Sequence, residues 1–165
     1  SAVDSRLRME MGAEKMLASI LEPLRDRYDF VIVDTCPSLG SLTINALAAA
    51  DEVIITVNPQ LLAMMGLQDF IRTVRKVRSR LNERLQIAGI LLTMCDARTN
   101  LCKVITEQVM EVFEGRIRIF ESVIPNTVKV GESIYYSKPL MEYAPGSKAC
   151  EMYRSLAREV ADYEG

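Results

Sequence analysis

Residues 28–40 read YDFVIVDTCPSLG, and this stretch indicates the fold more strongly than any other part of the sequence. Phe30 to Val33 is a continuous apolar run, which is typical of a strand buried on both faces of a parallel sheet. The run ends at Asp34 and passes into a loop that contains Gly40. The stretch therefore predicts a buried strand with a carboxylate at its carboxyl end.

Asp34 has a chemical use at such a position. A carboxylate at the edge of a sheet, followed by a tight loop, has the form of a Walker B segment with its attached switch. It can hold Mg²⁺ against nucleotide phosphates, usually through water. The alternative is an aspartate that only ends the strand and caps the next turn, because many α/β proteins carry an acidic residue there. Asp34 alone leaves both interpretations open.

Predicted helices and strands alternate along the rest of the chain. Before the first strand, apolar spacing predicts a helix over residues 9–27, with Pro23 late enough to kink or end it. The later predicted strands are Val53 to Val57, Ile87 to Met94 and Ile117 to Ile124. The later predicted helices are Thr43 to Ala50, Gln68 to Leu81, Asn100 to Phe113 and Ser147 to Tyr163, with Ser147 as an N-cap. This order predicts one α/β domain over residues 1–165, a doubly wound, mainly parallel sheet with helices on both faces.

Composition removes several classes of function. The 165 residues include no histidine, so Ser-His and Cys-His nucleophilic mechanisms lack their usual general base. The four cysteines are Cys36, Cys95, Cys102 and Cys150. They form no Cys-x-x-Cys pair, which favours free thiols over a zinc site or a disulfide framework, and we expect Cys95 and Cys102 to be buried. No apolar run approaches the roughly 20 residues of a membrane-spanning helix, so we expect a cytoplasmic protein without a membrane partner.

One segment concentrates positive charge, although the net charge of the chain is −2. It contains Arg72, Arg75, Lys76, Arg78, Arg80 and Arg84. The usual explanation of such a run is a solvated helix face. A local contact with DNA is the alternative, since the net charge argues against a protein that coats nucleic acid with its whole surface.

Four stretches taken together resemble a known family. They are YDFVIVDTCPSLGSLTINALAAADEVIITV from Tyr28, GLQDFIRTVRKVRSRLN from Gly66, AGILLTMCDARTNL from Ala88 and VIPNTVKVGESIYYSKPLMEYAPGSKACEMYRSLAREV from Val123. In this order and spacing they are similar to the ParA/Soj branch of the ParA/MinD partitioning ATPases, nearly unbroken from Tyr28 to Val160. The resemblance implies a P-loop NTPase-like fold of which this chain is the C-terminal two-thirds.

The resemblance implies a nucleotide site for ATP or ADP with Mg²⁺. Asp34 falls on the Walker B aspartate, which holds Mg²⁺ through water. The switch that senses the γ-phosphate falls on Asp34, Thr35, Cys36, Pro37, Ser38 and Gly40. Met94, Pro125 and Asn126 fall in the two segments that enclose the adenine. Without the resemblance, a methionine at the end of a strand is more often a core residue.

The resemblance also implies a DNA contact. Arg98 and Lys129 fall on basic positions that contact DNA phosphates in chromosomal members of the family, and such a contact requires only a positive donor. The alternative for each is an ordinary surface charge. Tyr135, Tyr136 and Tyr143 are expected to be packing residues, because no basic and aromatic platform for nucleic acid is evident around them.

The chain departs from the family at several places. Cys36 replaces the first of two adjacent prolines in the switch, and Asn126 stands where chromosomal members often have arginine. No G-x-x-x-x-G-K-[ST] motif occurs, and Gly146-Ser147-Lys148 lies before the last predicted helix without a preceding strand. We therefore expect the family's phosphate loop and catalytic aspartate to stand N-terminal to Ser1. This chain is then expected to hold no catalytic residue and to bind ATP weakly or not at all on its own.

Three functions are compatible with these features. The first is a chromosome or plasmid partitioning protein, an ATP-dependent dimerisation switch at the nucleoid that binds DNA without sequence preference and meets a ParB-like centromere-binding protein. The second is a non-catalytic DNA- or partner-binding module derived from such an ATPase. The third, a MinD-like membrane-associated regulator, is disfavoured because the tail from Ser155 to Gly165 ends in an acidic sequence.

The resemblance makes one further prediction, about the sheet. In the family the phosphate-loop strand lies between the strand that ends at Asp34 and the strand Val53 to Val57. We therefore expect Val31 to Val33 to pair with Ile54 to Thr56, or a strand from another segment or subunit to lie between them. Unpaired strand edges are costly when buried and invite self-association when exposed.

Overall fold

The computed structural model describes residues 13–35, 39–60 and 63–162. The chain divides into two compact units, one formed by Ser1–Val53 with Gln68–Gln86 and the other by Ile54–Leu67 with Ile87–Gly165. That residues 1–165 fold as one domain stays a prediction.

The first unit begins with short helical turns. Two 3₁₀ helices, Ala13–Lys15 and Glu22–Arg27, flank helix α1, Met16–Leu21, and helix α2 is Ser41–Ala49. Pro23 stands in the first turn of the second 3₁₀ helix, where its missing N–H is not needed. The helix predicted over residues 9–27 therefore forms over residues 13–27 as three pieces, and residues 9–12 lie outside the described residues.

The predicted strand from Phe30 to Val33 does not form. Among the described residues these four take part in no strand or bridge, and Ile32 is 93% exposed. The prediction was wrong because an apolar run becomes a strand only when a neighbouring strand pairs with its N–H and C=O groups. The expected pairing of Val31 to Val33 with Ile54 to Thr56 is therefore also not formed. Pairing with a strand from another segment or subunit stays a prediction.

The described sheet consists of two strands, β1 (Glu52–Val57) and β2 (Gln86–Leu92). The Gln86 N–H donates to the Asp51 carbonyl at 2.9 Å, and the Thr93 N–H donates to the Val57 carbonyl at 2.9 Å. Residue numbers rise together along both strands, so the pair is parallel, as predicted.

Helix α3, Ala63–Arg80, connects β1 to β2 and begins earlier than the predicted Gln68. Its buried side chains are Leu67, Ile71, Val74 and Val77, which recur three or four residues apart. The arginines and lysines of the helix are exposed. The apolar stripe therefore anchors the helix and leaves its charged side in solvent.

The predicted fourth strand, Ile117 to Ile124, is replaced by two isolated parallel bridges, Ile90 with Ile119 and Cys95 with Pro125. The ladder is interrupted because the N–H groups of Glu121 and Ser122 donate to the side chain of Glu159, which lies on the last helix. The segment therefore runs parallel to β2 without forming a continuous strand.

The remaining helices belong to the second unit. They are α4 (Asn100–Phe113), α5 (Val128–Tyr135), α6 (Leu140–Tyr143) and α7 (Lys148–Ala161). Helix α4 has its predicted bounds, and Ser147 caps α7 as predicted, since its Oγ accepts from the Cys150 N–H at 3.2 Å. Helices α5 and α6 were not predicted. In the described part of the chain, no helix has the length and apolar character needed to cross a membrane.

Candidate functional site

Met94 follows β2 in an uncommon backbone conformation. Its φ of 53° lies in the left-handed region, its side chain is 60% exposed, and its Sδ lies 3.6 Å from Nδ2 of Asn58. A non-glycine residue in that region is uncommon and is often found near functional sites. Met94 is therefore a surface side chain, and the core alternative is wrong.

Backbone hydrogen bonds join the residue after Met94 to the second predicted base-binding segment. The Cys95 N–H donates to the Ile124 carbonyl at 3.1 Å, and the Asn126 N–H donates to the Cys95 carbonyl at 3.0 Å. The structure thus brings Met94 close in the fold to Pro125 and Asn126. Pro125 is half-buried and Asn126 is exposed, so the segment presents apolar and polar groups of the kind that hold a flat base.

Cys95 and Cys102 are joined by a disulfide bond, with their Cα atoms 6.0 Å apart. The expectation of free thiols was wrong here, because the chain reverses between the two residues and turns both side chains into the same interior. Their expected burial is confirmed, since they are 7% and 5% exposed. Cys150 is free, as expected, and it is buried. Cys36 lies outside the described residues.

Arg98 lies in the turn between β2 and α4, with its side chain 89% exposed. Its guanidinium pairs with the Asp96 carboxylate through Nε to Oδ1 at 2.9 Å and Nη2 to Oδ2 at 2.8 Å. These hydrogen bonds from Arg98 lower the pKa of Asp96 to about 2, and the same pair raises the pKa of Arg98. Arg98 is therefore charged and accessible, but a phosphate that binds it competes with Asp96.

Lys129 lies in the first turn of α5, which Thr127 caps. Its Nζ lies 2.9 Å from Oε2 of Glu132, and the Tyr143 hydroxyl donates to the same oxygen at 3.0 Å. The hydrogen bond between Lys129 and Glu132 raises the pKa of Lys129 and lowers the pKa of Glu132. The hydrogen bond from the Tyr143 hydroxyl to Glu132 raises the pKa of Tyr143. Lys129 thus carries a full charge that Glu132 already partly balances.

Three tyrosines form a row beside Lys129. The ring centres of Tyr135 and Tyr136 are 5.2 Å apart, edge to face, and those of Tyr136 and Tyr143 are 5.6 Å apart and stacked. Lys129 Nζ lies 5.8 Å from the centre of the Tyr143 ring. Tyr135 is 82% exposed and Tyr136 58%, so the expectation of packing residues was wrong for these two. Tyr135 is the last residue of the unpredicted helix α5 and Tyr136 is its C-cap, so both stand at an exposed helix end.

Glu159 on α7 is a structural carboxylate that the sequence patterns did not reveal. Its side chain accepts from the Glu121 N–H at 2.9 Å, from the Ser122 N–H at 2.8 Å and from the Ser122 hydroxyl, and it lies 3.8 Å from Nη2 of Arg118. Burial raises the pKa of Glu159, but the hydrogen bonds from Ser122 and Glu121, aided by Arg118, outweigh it, so the pKa lies below the ordinary value. Glu159 therefore fixes the segment that leads into Pro125.

Of the predicted metal and switch residues, the structure describes Asp34, Thr35 and Gly40, which belong to the first unit. Asp34 and Thr35 are exposed, and Gly40 is the N-cap of α2. Cys36, Pro37 and Ser38 lie outside the described residues. Among the described residues, no group of three or more His, Cys, Asp or Glu side chains is arranged to hold a metal ion. The predicted strand before Asp34 does not form, so its expected place at the carboxyl end of a buried strand is wrong. Asp34 is an exposed carboxylate of the type that Mg²⁺ takes from a protein together with waters and substrate phosphates.

Comparisons of sequence place the chain among partitioning proteins. A family model described as an AAA domain matches residues 1–87. The sporulation initiation inhibitor protein Soj of Bacillus subtilis is 45% identical over 92% of this chain and 59% of its own length. The chromosome partitioning protein ParA of Myxococcus xanthus is 41% identical over 89% of this chain and 51% of its own length. The chain thus spans a little more than half the length of these curated relatives.

Comparison of folds agrees with the sequence. The crystal structure of cobyrinic acid a,c-diamide synthase from Mycobacterium smegmatis with bound ADP and magnesium matches with a TM-score of 0.76 and 30% identity. That match covers 97% of this chain and 59% of the synthase chain. The class is therefore an α/β protein with a P-loop NTPase-like fold. Within that class, the chain belongs to the ParA/Soj branch of the ParA/MinD family, as its motifs predicted.

Proposed function

We propose that the chain is part of a chromosome or plasmid partitioning switch, in which ATP controls dimerisation and the dimer binds DNA without sequence preference. The relatives named as chromosome partitioning proteins support this function. The observation that carries it is a pair of backbone hydrogen bonds, from the Cys95 N–H to the Ile124 carbonyl and from the Asn126 N–H to the Cys95 carbonyl, which join the two predicted base-binding segments.

Each predicted site residue has a role in this proposal. Met94, Pro125 and Asn126 enclose the adenine. Asp34 holds Mg²⁺ through water, and the ion, when bound, neutralises nucleotide phosphates. The switch that begins at Thr35 senses the γ-phosphate.

The nucleotide part of the proposal is tested by titration calorimetry on the 165-residue chain. We expect weak or undetectable binding of Mg-ATP, because the sequence contains no G-x-x-x-x-G-K-[ST] motif to surround the phosphates with amides and a lysine. Adenosine serves as the control, and it is expected to bind about as weakly as Mg-ATP, since the phosphates meet no more than the Asp34-bound ion in this chain. A micromolar or tighter dissociation constant for Mg-ATP would contradict this expectation.

The DNA part is tested with Arg98→Ala and Lys129→Ala in a fluorescence anisotropy titration. Each substitution is expected to weaken binding equally on two duplexes of unrelated sequence and to lower the salt dependence, because phosphate contacts carry no sequence information. Arg116→Ala is the matched control, since Arg116 is also exposed and forms no ion pair among the described residues. Unchanged binding in both variants would remove these two residues from the DNA surface.

The alternative function is a non-catalytic DNA- or partner-binding module derived from such an ATPase. It predicts that DNA binding is the same with and without Mg-ATP. The partitioning switch predicts instead that nucleotide changes DNA binding once the phosphate-binding segment is supplied, as in a fusion that carries the N-terminal part of a relative. The anisotropy titration, repeated on that fusion with and without Mg-ATP, separates the two.

The partners follow from the same proposal. They are non-specific DNA, a ParB-like centromere-binding protein and a second copy of the protein, and the location is the cytoplasm at the nucleoid. The exposed Phe30 to Val33 segment supports self-association, because an unpaired apolar run invites pairing with another chain.

A further inference from the structure

We propose that the exposed side of helix α3 is a second surface for DNA phosphates, in addition to Arg98 and Lys129; this inference rests on the proposed function. We call this surface the α3 basic face. It consists of Arg72, Arg75, Lys76, Arg78, Arg80 and, just beyond the helix, Arg84, all of which are exposed.

The helix presents these cations on a fixed support. Its opposite side is buried at Ile71, Val74 and Val77, which are 5%, 2% and 3% exposed. Because this stripe is packed, the orientation of the helix in its own unit does not depend on the charged side chains. The basic side chains can therefore bind a ligand without lowering the free energy of unfolding.

The charges of the α3 basic face are largely unbalanced. Only Arg72 has a carboxylate partner among the described residues, namely Asp69 at 3.0 Å. Arg98 and Lys129, by contrast, each hold a carboxylate within 2.9 Å. At the basic residues of α3 other than Arg72, a phosphate can bind without breaking an ion pair of the described part of the protein. Its binding energy at these residues is therefore not reduced by the loss of an ion pair.

The length of the surface fits a phosphate backbone. From Arg72 to Arg80 the helix rises about 12 Å at 1.5 Å per residue. One strand of duplex DNA carries a charge about every 3.4 Å along the axis, so the face spans roughly three to four phosphates. Arg72, Lys76 and Arg80 recur every four residues and can therefore contact successive phosphates of one strand, while Arg75 and Arg78 lie on the adjoining side of the helix.

The lining of the surface favours DNA over an acidic protein segment. A shallow cavity of about 270 Å³ is lined by Arg75, Arg78, Ser79 and Glu83. No aromatic or aliphatic residue is among the lining residues, so the surface offers no apolar pocket for a hydrophobic anchor of a protein partner. Phosphate contacts need only positive and hydrogen-bonding groups. The negative charge of Glu83 repels a phosphate at this surface, so removing that charge by Glu83→Gln is a test of the inference.

The main test is Arg75→Ala/Arg78→Ala in the full 165-residue chain, titrated with two short duplexes of unrelated sequence at several salt concentrations. We expect affinity at low salt to fall at least about fivefold on both duplexes. The slope of log affinity against log salt should fall by about 0.9 for each phosphate that the variant no longer neutralises. Arg75→Lys/Arg78→Lys keeps the charge and is expected to retain most of the affinity, which separates loss of charge from loss of folding.

The matched control is Arg116→Ala/Arg158→Ala, which removes the same charge from two exposed arginines without an ion pair among the described residues. If the α3 variant binds like this control while Arg98→Ala is weakened, the inference is wrong and the proposed function stands. If DNA binds equally well to the α3, Arg98 and Lys129 variants, both are wrong. If the chain alone does not bind DNA, the same variants are compared with Mg-ATP in the fusion that carries the N-terminal part of a relative, and equal binding there has the same meaning. If only polyglutamate binding is lost in the α3 variant, the surface serves an acidic protein and the inference is overturned.

Glu83→Gln gives a prediction of opposite sign. Removing the one carboxylate that lines the cavity should strengthen DNA binding about two- to threefold at low salt, and the gain should vanish at high salt. Glu107→Gln on the exposed side of α4 is the control for net charge. An equal gain in both variants would show a general charge effect and would count against a contact at α3.

Discussion

Two apolar runs of this chain have the same pattern in sequence and different fates in the structure. Glu52–Val57 forms β1 and pairs in parallel with β2, while Phe30 to Val33 forms no strand among the described residues. Ile55 in the first is 6% exposed, and Ile32 in the second is 93% exposed. The difference teaches that an apolar run gives a segment the capacity to form a strand, whereas a neighbouring strand decides whether that capacity is used.

The largest expected effect comes from substituting one isoleucine in each run. Ile55→Ala should lower the free energy of unfolding by about 2–5 kcal/mol, because it leaves a cavity in a packed core. Ile32→Ala should change it by less than about 0.5 kcal/mol, because the side chain is already in solvent. Urea unfolding of the two variants measures both values. Similar losses in the two would mean that Phe30 to Val33 is packed in solution.

The second effect concerns the segment that lies beside β2. A Cβ at position 89 would lie 2.8 Å from the Phe120 ring and 2.9 Å from the Arg118 carbonyl oxygen. Gly89→Ala should therefore destabilise the chain by about 1–3 kcal/mol, since the backbone must move.

Gly66 provides the matched control for this substitution. It lies in α3 with nothing within 4 Å of an added Cβ. Gly66→Ala should stabilise the chain by about 0.5–1 kcal/mol, because alanine favours the helix. If Gly89→Ala and Gly66→Ala lower the free energy of unfolding to the same extent, close packing of Gly89 against Phe120 and Arg118 is not the cause.

The third effect is smaller and depends on pH. Glu159→Gln should cost about 1–2 kcal/mol at neutral pH, because the neutral amide cannot accept all the hydrogen bonds from Glu121 and Ser122. The folded-state pKa of Glu159 lies below its ordinary value of 4.5. Its contribution is therefore fully present above pH 4.5 and is lost as the pH falls through the folded-state pKa.

Thermal unfolding of wild type and Glu159→Gln across this pH range measures the effect. The difference between the two should shrink as the pH falls below 4.5. Glu151→Gln, at an exposed pair with Lys148, is the control for the removal of one carboxylate from α7. If the difference in stability between wild type and Glu159→Gln is constant with pH, the ionised carboxylate of Glu159 is not what holds the segment at Glu121 and Ser122.

Much of the fold followed from local patterns. The parallel strands, the bounds of α4 and the cap at Ser147 were predicted because periodicity and capping act over a few residues. The interruption of the predicted strand Ile117 to Ile124 was not predicted, since the N–H of Ser122 donates to Glu159, a residue distant in sequence. The strand at Phe30 was wrongly predicted for the same kind of reason, because pairing depends on a partner elsewhere.

The candidate site shows the same limit. The motifs named Met94, Arg98 and Asn126 as candidates, and their roles stay predictions. The motifs did not reveal the ion pairs of Arg98 and Lys129, because a carboxylate two or three residues away is common and only geometry selects the pair. The disulfide of Cys95 and Cys102 was likewise missed, since the spacing of two cysteines does not reveal that the turn between them reverses the chain.

The smallest effect on folding returns to the unpaired run. Ile32→Lys should leave the free energy of unfolding within about 0.5 kcal/mol of wild type at low concentration, because the Ile32 side chain is already in solvent. It should nevertheless reduce concentration-dependent self-association, since a charge on an unpaired strand segment opposes edge-to-edge pairing. Analytical ultracentrifugation over a range of concentrations measures this, with Val128→Lys as the control at another exposed apolar residue, which is 72% exposed. If wild type and Ile32→Lys associate equally, or if Val128→Lys abolishes association instead, Phe30 to Val33 is not the segment through which copies of the chain meet.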